Sequence, residues 1–118
     1  PDSEVISIKR LRFVDQIPFS IGTSYLDYKL VPDIENHIEK HSFYWLLEEK
    51  YQLKLAKTHA SLEVILADDD QASLLGIRPG SALFFMSGTV CSPSGHPIEY
   101  FEVYYRGDRL KFVTESME

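Results

Sequence analysis

Residues 96–106 read His-Pro-Ile-Glu-Tyr-Phe-Glu-Val-Tyr-Tyr-Arg, and this run constrains the fold more than any other. Its aromatic and β-branched content marks a strand. Successive side chains of a strand point to opposite faces, so Glu99, Phe101, Val103 and Tyr105 share one. Phe101 and Val103 mark that face as the one to be buried. A carboxylate drawn into it is costly unless it is paired. Its partner is either an internal cation or a ligand, and that choice separates a packed sheet from a binding pocket.

The rest of the chain supplies the elements around this strand. Residues 5–14 read as a strand, 15–18 as a turn and 19–28 as a second strand. Phe19, Ile21, Thr23 and Tyr25 lie on one face of it, and Ser20, Gly22 and Ser24 on the other. Residues 33–40 fit a short amphipathic helix. Ser42 can cap a helix over 43–51, with Tyr44, Leu47 and Tyr51 on one stripe. Residues 54–66 read as a long strand with Leu62, Val64 and Leu66 facing one way. Asp68 is an N-cap for a helix that runs to Leu75 and ends at Gly76 in a left-handed cap. Strands over 82–91, 97–106 and 109–114 follow, with a hairpin turn at 93–95. The order β-β-α-α-β-α-β-β-β, with short turns between neighbouring strands, implies an α+β domain. Its sheet is mainly antiparallel and six-stranded, with flanking helices.

Size and charge narrow the function. The chain has 118 residues, the length of one domain. Seven Phe, seven Tyr and one Trp give bulk for one core. A net charge of −6 argues against this segment gripping DNA or an anionic membrane by itself. Cys91 is the only cysteine. That excludes an internal disulfide and fits a reducing compartment such as the cytoplasm, with the thiol buried and inert. No apolar run approaches the roughly 20 residues that span a bilayer. The opening residues lack an initiator Met, as in a piece of a longer protein.

Three places could carry chemistry. On the first strand Ile6, Ile8, Arg10 and Arg12 share a face, so two cations extend an apolar start. Arginine's planar fork suits carboxylate or phosphate. The plainer reading has both arginines solvated or paired with Glu99 and Glu102. Ser42 offers a hydroxyl and a helix start, where backbone N–H groups favour an anion, or serves as a simple cap. Tyr44 alone reads as core. No cofactor is implied: there is no glycine-rich phosphate loop and no nucleophile motif. His37 and His41 are four apart but lack a third ligand for a metal. Asp68-Asp69-Asp70 is explained by a helix N-terminus, and Arg106-Gly107-Asp108 by a turn.

The ordered set of these segments resembles a known family. Arg10-Leu11-Arg12, Pro18, Tyr25-Leu26 and the run Ser42-Phe43-Tyr44-Trp45-Leu46-Leu47-Glu48-Glu49-Lys50-Tyr51 carry the likeness. So do Ala72, Leu75-Gly76-Ile77, Pro79-Gly80, Gly95-His96-Pro97-Ile98-Glu99-Tyr100, Tyr105-Arg106-Gly107-Asp108-Arg109 and Phe112. They resemble the UTRA domain, the effector-binding domain of GntR-type bacterial regulators of the HutC subfamily. The resemblance covers nearly all of residues 1–118. It implies a chorismate-lyase-like fold, a homodimer, and DNA binding only through a winged helix-turn-helix domain that this chain lacks. It also implies a small-molecule effector, in many relatives a sugar phosphate. It places effector-binding positions at Arg10, Arg12, Ser42, Tyr44, Glu99 and Tyr105; Ser20, Gly22 and Ser24, all small, are candidates to line the pocket. One position departs, because relatives often carry an acidic residue where this chain has Gly22.

Three functions compete at this level. A sensor module binds an anion through the arginines and hydroxyls through Glu99 and Tyr105. A lyase-like enzyme needs a general acid or base, and Glu99 is the one residue that fits. A dimerisation module without ligand requires Glu99 to pair directly with Arg10 or Arg12. The resemblance favours the sensor and a non-enzymatic role.

Overall fold

Asp15 and Gln16 both adopt positive φ (50° and 67°), as a two-residue hairpin turn requires. They join β1 (Val5–Val14) to β2 (Ile17–Asp27). The turn is therefore tighter than the four residues 15–18, because Ile17 and Pro18 already belong to β2. Pro18 sits opposite a register shift between Arg12 and Phe13, a place where a strand tolerates a missing N–H. These features come from a computed structural model that describes residues 4–109.

Three more strands complete the sheet: β3 (Lys57–Leu66), β4 (Ala82–Cys91) and β5 (Pro97–Arg106). The described sheet has five strands in the order β1-β2-β5-β4-β3, and every neighbouring pair is antiparallel. This is the α+β, antiparallel architecture the sequence implies. The expected strand over 109–114 lies outside the described residues apart from Arg109, which follows β5 in a turn.

Helical segments cover opposite faces at opposite ends. One is α1 (Phe43–Trp45), which widens directly into a π turn over Leu46–Lys50. The other is α2 (Asp69–Leu75). The capping box at α2 forms as its residues require: Asp68 Oδ1 accepts from the Gln71 N–H at 2.8 Å, and Gln71 Oε1 accepts from the Asp68 N–H at 3.0 Å. Gly76 closes the helix at φ 68°. Leu75 and Ala72 then pack on Ile21, Ala67 and Leu83.

On the other face, Leu26 is buried with Val31, Ile34, Phe43, Leu46 and Leu47, and Ile6 and Ile8 pack against them. The helix expected over 33–40 shrinks to a single 3-10 turn, Ile34–Asn36. Asp33 before it is left-handed and gives no side-chain cap, so the segment starts without the bond that would extend it. Of the stripe expected at Tyr44, Leu47 and Tyr51, Leu47 is buried and Tyr51 packs against the same core, and Tyr44 alone departs. Phe43, Leu46 and Leu47 face the core, whereas Tyr44 and Trp45 remain exposed. Cys91 is half-buried rather than fully buried.

Candidate ligand-binding site

Cross-strand register lays the predicted residues out in rows on one face. Leu26 is opposite Glu99, Ser24 opposite Phe101, Gly22 opposite Val103 and Ser20 opposite Tyr105. On the other side of β2, Ile8 pairs with Ser24, Arg10 with Gly22 and Arg12 with Ser20. The helical cover seals the Ile6 and Leu26 end. Beyond it the face opens into a cavity of about 400 Å³ lined by Arg10, Arg12, Ser20, Gly22, Ser24, Tyr44, Glu99 and Tyr105, among others. That volume is ordinary for a small-molecule site.

Glu99 stands at the seam between cover and cavity and is 1% exposed. The Tyr44 hydroxyl donates to its Oε1 at 2.9 Å. Its Oε2 is buried and has no hydrogen-bond partner among the described residues. The only ion pair among the described residues joins Arg106 to Asp108, so neither Arg10 nor Arg12 contacts Glu99 directly, although the Glu99 charge is near enough to favour the charged form of Arg10. Tyr44 is thus drawn out of the core to serve a buried carboxylate. Burial, then the neighbouring Glu99 charge, pushes its phenol well above the ordinary tyrosine range.

Arg10 is held by two contacts. Its guanidinium lies over the Phe43 ring, 4.5 Å from the centroid, and its Nη2 donates to Ser24 Oγ at 3.2 Å. Its Nε is buried without a partner among the described residues. Desolvation lowers its pKa first, and the like charge of Arg12 lowers it further. A guanidinium nevertheless stays charged. Two cations and one carboxylate therefore face the same cavity, and an anion placed between the arginines would relieve their repulsion.

Ser42 does not line the cavity. It is exposed just before Phe43, and its side chain makes no capping bond. Residues not singled out from sequence also reach the site. Phe43 supports Arg10 from the core side, and Phe19 meets Tyr105 edge-on at 5.6 Å. Strict alternation puts Phe19 on the opposite face. The register shift in the hairpin, which Pro18 foreshadows, is the signal that alternation is unreliable there. The Arg106-Gly107-Asp108 run is a turn: Arg106 Nε and Nη2 donate to Asp108 at 3.1 and 2.9 Å. His41 stacks on Trp45 at 4.4 Å.

An antiparallel sheet sealed at one end of a face, with a charged cleft at the other, defines a class of α+β domain with a cavity on its sheet. Within that class the chain belongs to the UTRA domain family, whose model matches residues 1–111. It is 27% identical over 111 residues to the HTH-type transcriptional repressor NagR of Bacillus subtilis, covering 94% of this chain and 46% of that protein. It is also 27% identical over 113 residues to the HTH-type transcriptional regulator GmuR of the same species, covering 96% and 47%. The crystal structure of a GntR-family transcriptional regulator from Enterococcus faecalis superimposes with a TM-score of 0.87 at 28% identity, covering 98% of this chain and 84% of that one. The chain spans about half the length of the curated relatives it matches.

Proposed function

We propose that this domain senses a small anionic metabolite, a sugar phosphate by preference, for a GntR/HutC-type transcription regulator. One observation carries the reading. A fully buried carboxylate, Glu99, keeps one oxygen unbonded beside a cavity that also holds Arg10 and Arg12, neither in an ion pair among the described residues. A closed structural network would pair these charges with one another. Arg10 and Arg12 hold the anionic group, and Ser42, which lies outside the cavity, has no part in it. Glu99, Tyr44 and Tyr105 take the hydroxyls. The chorismate-lyase-like fold belongs to the same reading.

DNA contact then falls to a separate helix-turn-helix segment of the kind named in the relatives, in the cytoplasm. The effector acts by its differential affinity for two arrangements of a homodimer. A second copy is supported by β3, an edge of the described sheet. Its Leu62, Val64 and Leu66 share one face and are 42%, 63% and 69% exposed, and bare apolar edges invite pairing.

Calorimetry with a panel of sugar phosphates tests the assignment. Each charged hydrogen bond contributes roughly 1.5–3 kcal/mol, so Arg10→Ala should weaken the best ligand by about tenfold to a hundredfold while the domain stays folded. Unchanged affinity in that variant would sink the site.

A further inference from the structure

Arg10 and Glu99 carry opposite charges into one cavity and yet make no ion pair. Consecutive residues of the cover hold them separately. The Phe43 ring lies under the Arg10 guanidinium at 4.5 Å, and the Tyr44 hydroxyl donates to Glu99 Oε1 at 2.9 Å. The two rings meet edge-on, with centroids 5.0 Å apart. Phe43 is itself held fast: it is 3% exposed and packs with Leu26, Val31, Ile34, Leu46 and Leu47.

The choice of a ring to seat this arginine has a chemical consequence. A carboxylate would hold the guanidinium through two of its N–H groups and leave fewer for a ligand. A ring face attracts the same charge through its quadrupole and takes none of them. Arg10 accordingly donates to Ser24 Oγ at 3.2 Å, and its Nε–H has no partner among the described residues.

We propose that Phe43 is a positioning residue of the anion site: its ring steadies the Arg10 guanidinium at the cavity with its N–H edge open to the ligand. Phe43 does not line the cavity, so it acts through Arg10. This rests on the anion-binding role of Arg10 proposed above.

Inorganic phosphate is a suitable probe, titrated by NMR into the wild type, Arg10→Ala, Phe43→Leu, and proteins carrying progressively fluorinated phenylalanine at position 43. Fluorine weakens the ring quadrupole and barely alters ring volume, so this series keeps the core packed even if Phe43→Leu fails to fold. Affinity should fall about twofold to thirtyfold in Phe43→Leu, the range of a cation–π contact. It should fall stepwise with fluorination, while the urea midpoint of the fluorinated proteins holds. Wild-type affinity throughout the fluorinated series, with Arg10→Ala still weakened, would overturn the role of Phe43 and leave the anion site standing. Full affinity in Arg10→Ala, or no phosphate binding by the wild type, would overturn both.

Discussion

The two ends of one sheet face are built from the same strands and meet different fates. At one end Ile6, Ile8 and Leu26 lie beneath Val31, Ile34, Phe43, Leu46 and Leu47. At the other, a few residues further along, Arg10, Arg12, Gly22 and Val103 face a cavity. The sheet itself does not change between them. The cover changes, because it stops at Phe43 and Tyr44, and the side chains turn from branched apolar to charged or small at that line. A strand face can thus be half core and half site, and the residues at the seam belong to both. Phe43 is buried in the core yet carries the Arg10 guanidinium. Tyr44 rides on the cover yet satisfies Glu99.

Breaking the sealed end should have the largest effect. Leu46 is fully buried in the cover, and Leu46→Ala should destabilise the domain by about 2–5 kcal/mol. Urea unfolding should show this as a lower midpoint with little change in slope. Loss at the open end should separate folding from binding, as for Arg10→Ala.

At the seam the two functions mix. Tyr44→Phe leaves the buried Glu99 carboxylate without its donor and should cost about 1–3 kcal/mol at neutral pH. The same variant has a pH signature. The folded Tyr44 phenol titrates above its unfolded value of 10.0. Its contribution is therefore intact below pH 10 and is lost as pH rises beyond it, because the unfolded chain gives up that proton first. The stability gap between wild type and Tyr44→Phe should narrow above pH 10 in denaturation curves, and a constant gap would separate Tyr44 from the seam.

The smallest effect on folding is expected where the sheet runs out to its edge. Val64 is 63% exposed, so Val64→Lys should change the stability of a single chain by no more than about 0.5 kcal/mol. It should nevertheless shift sedimentation toward monomer. A dimer that persists unchanged would place the second copy elsewhere.

Much of this arrangement is legible in residue types alone. Period-two alternation is strict along β5 and most of β2, so Glu99, Phe101, Val103, Tyr105, Ser20, Gly22 and Ser24 fall on one face. The Asp68 capping box and the Gly76 cap are local chemistry and need no tertiary information. The cover is harder to read. A helical stripe at 44, 47 and 51 looks sound at 3.6 residues per turn, and Leu47 and Tyr51 keep to it across the π turn over Leu46–Lys50, whereas Tyr44 does not. Tyr44 leaves the core because a buried carboxylate 55 residues away needs a donor. That is a long-range electrostatic demand with no local trace. Phe19 escapes for a related reason: the bulge opposite Pro18 interrupts the alternation.

The most direct test of the seam is Glu99→Gln, which keeps an oxygen for the Tyr44 hydroxyl and removes the charge. Thermal unfolding of wild type and variant, each with and without sugar phosphates, reads both roles at once. A ligand at a hundred times its dissociation constant should stabilise the wild type by about 2.7 kcal/mol. If Glu99 is held for a ligand, Glu99→Gln should melt no lower than the wild type and should lose that ligand-induced shift. A variant that melts several degrees lower and keeps the full shift would contradict this, and Glu99 would then be part of the core.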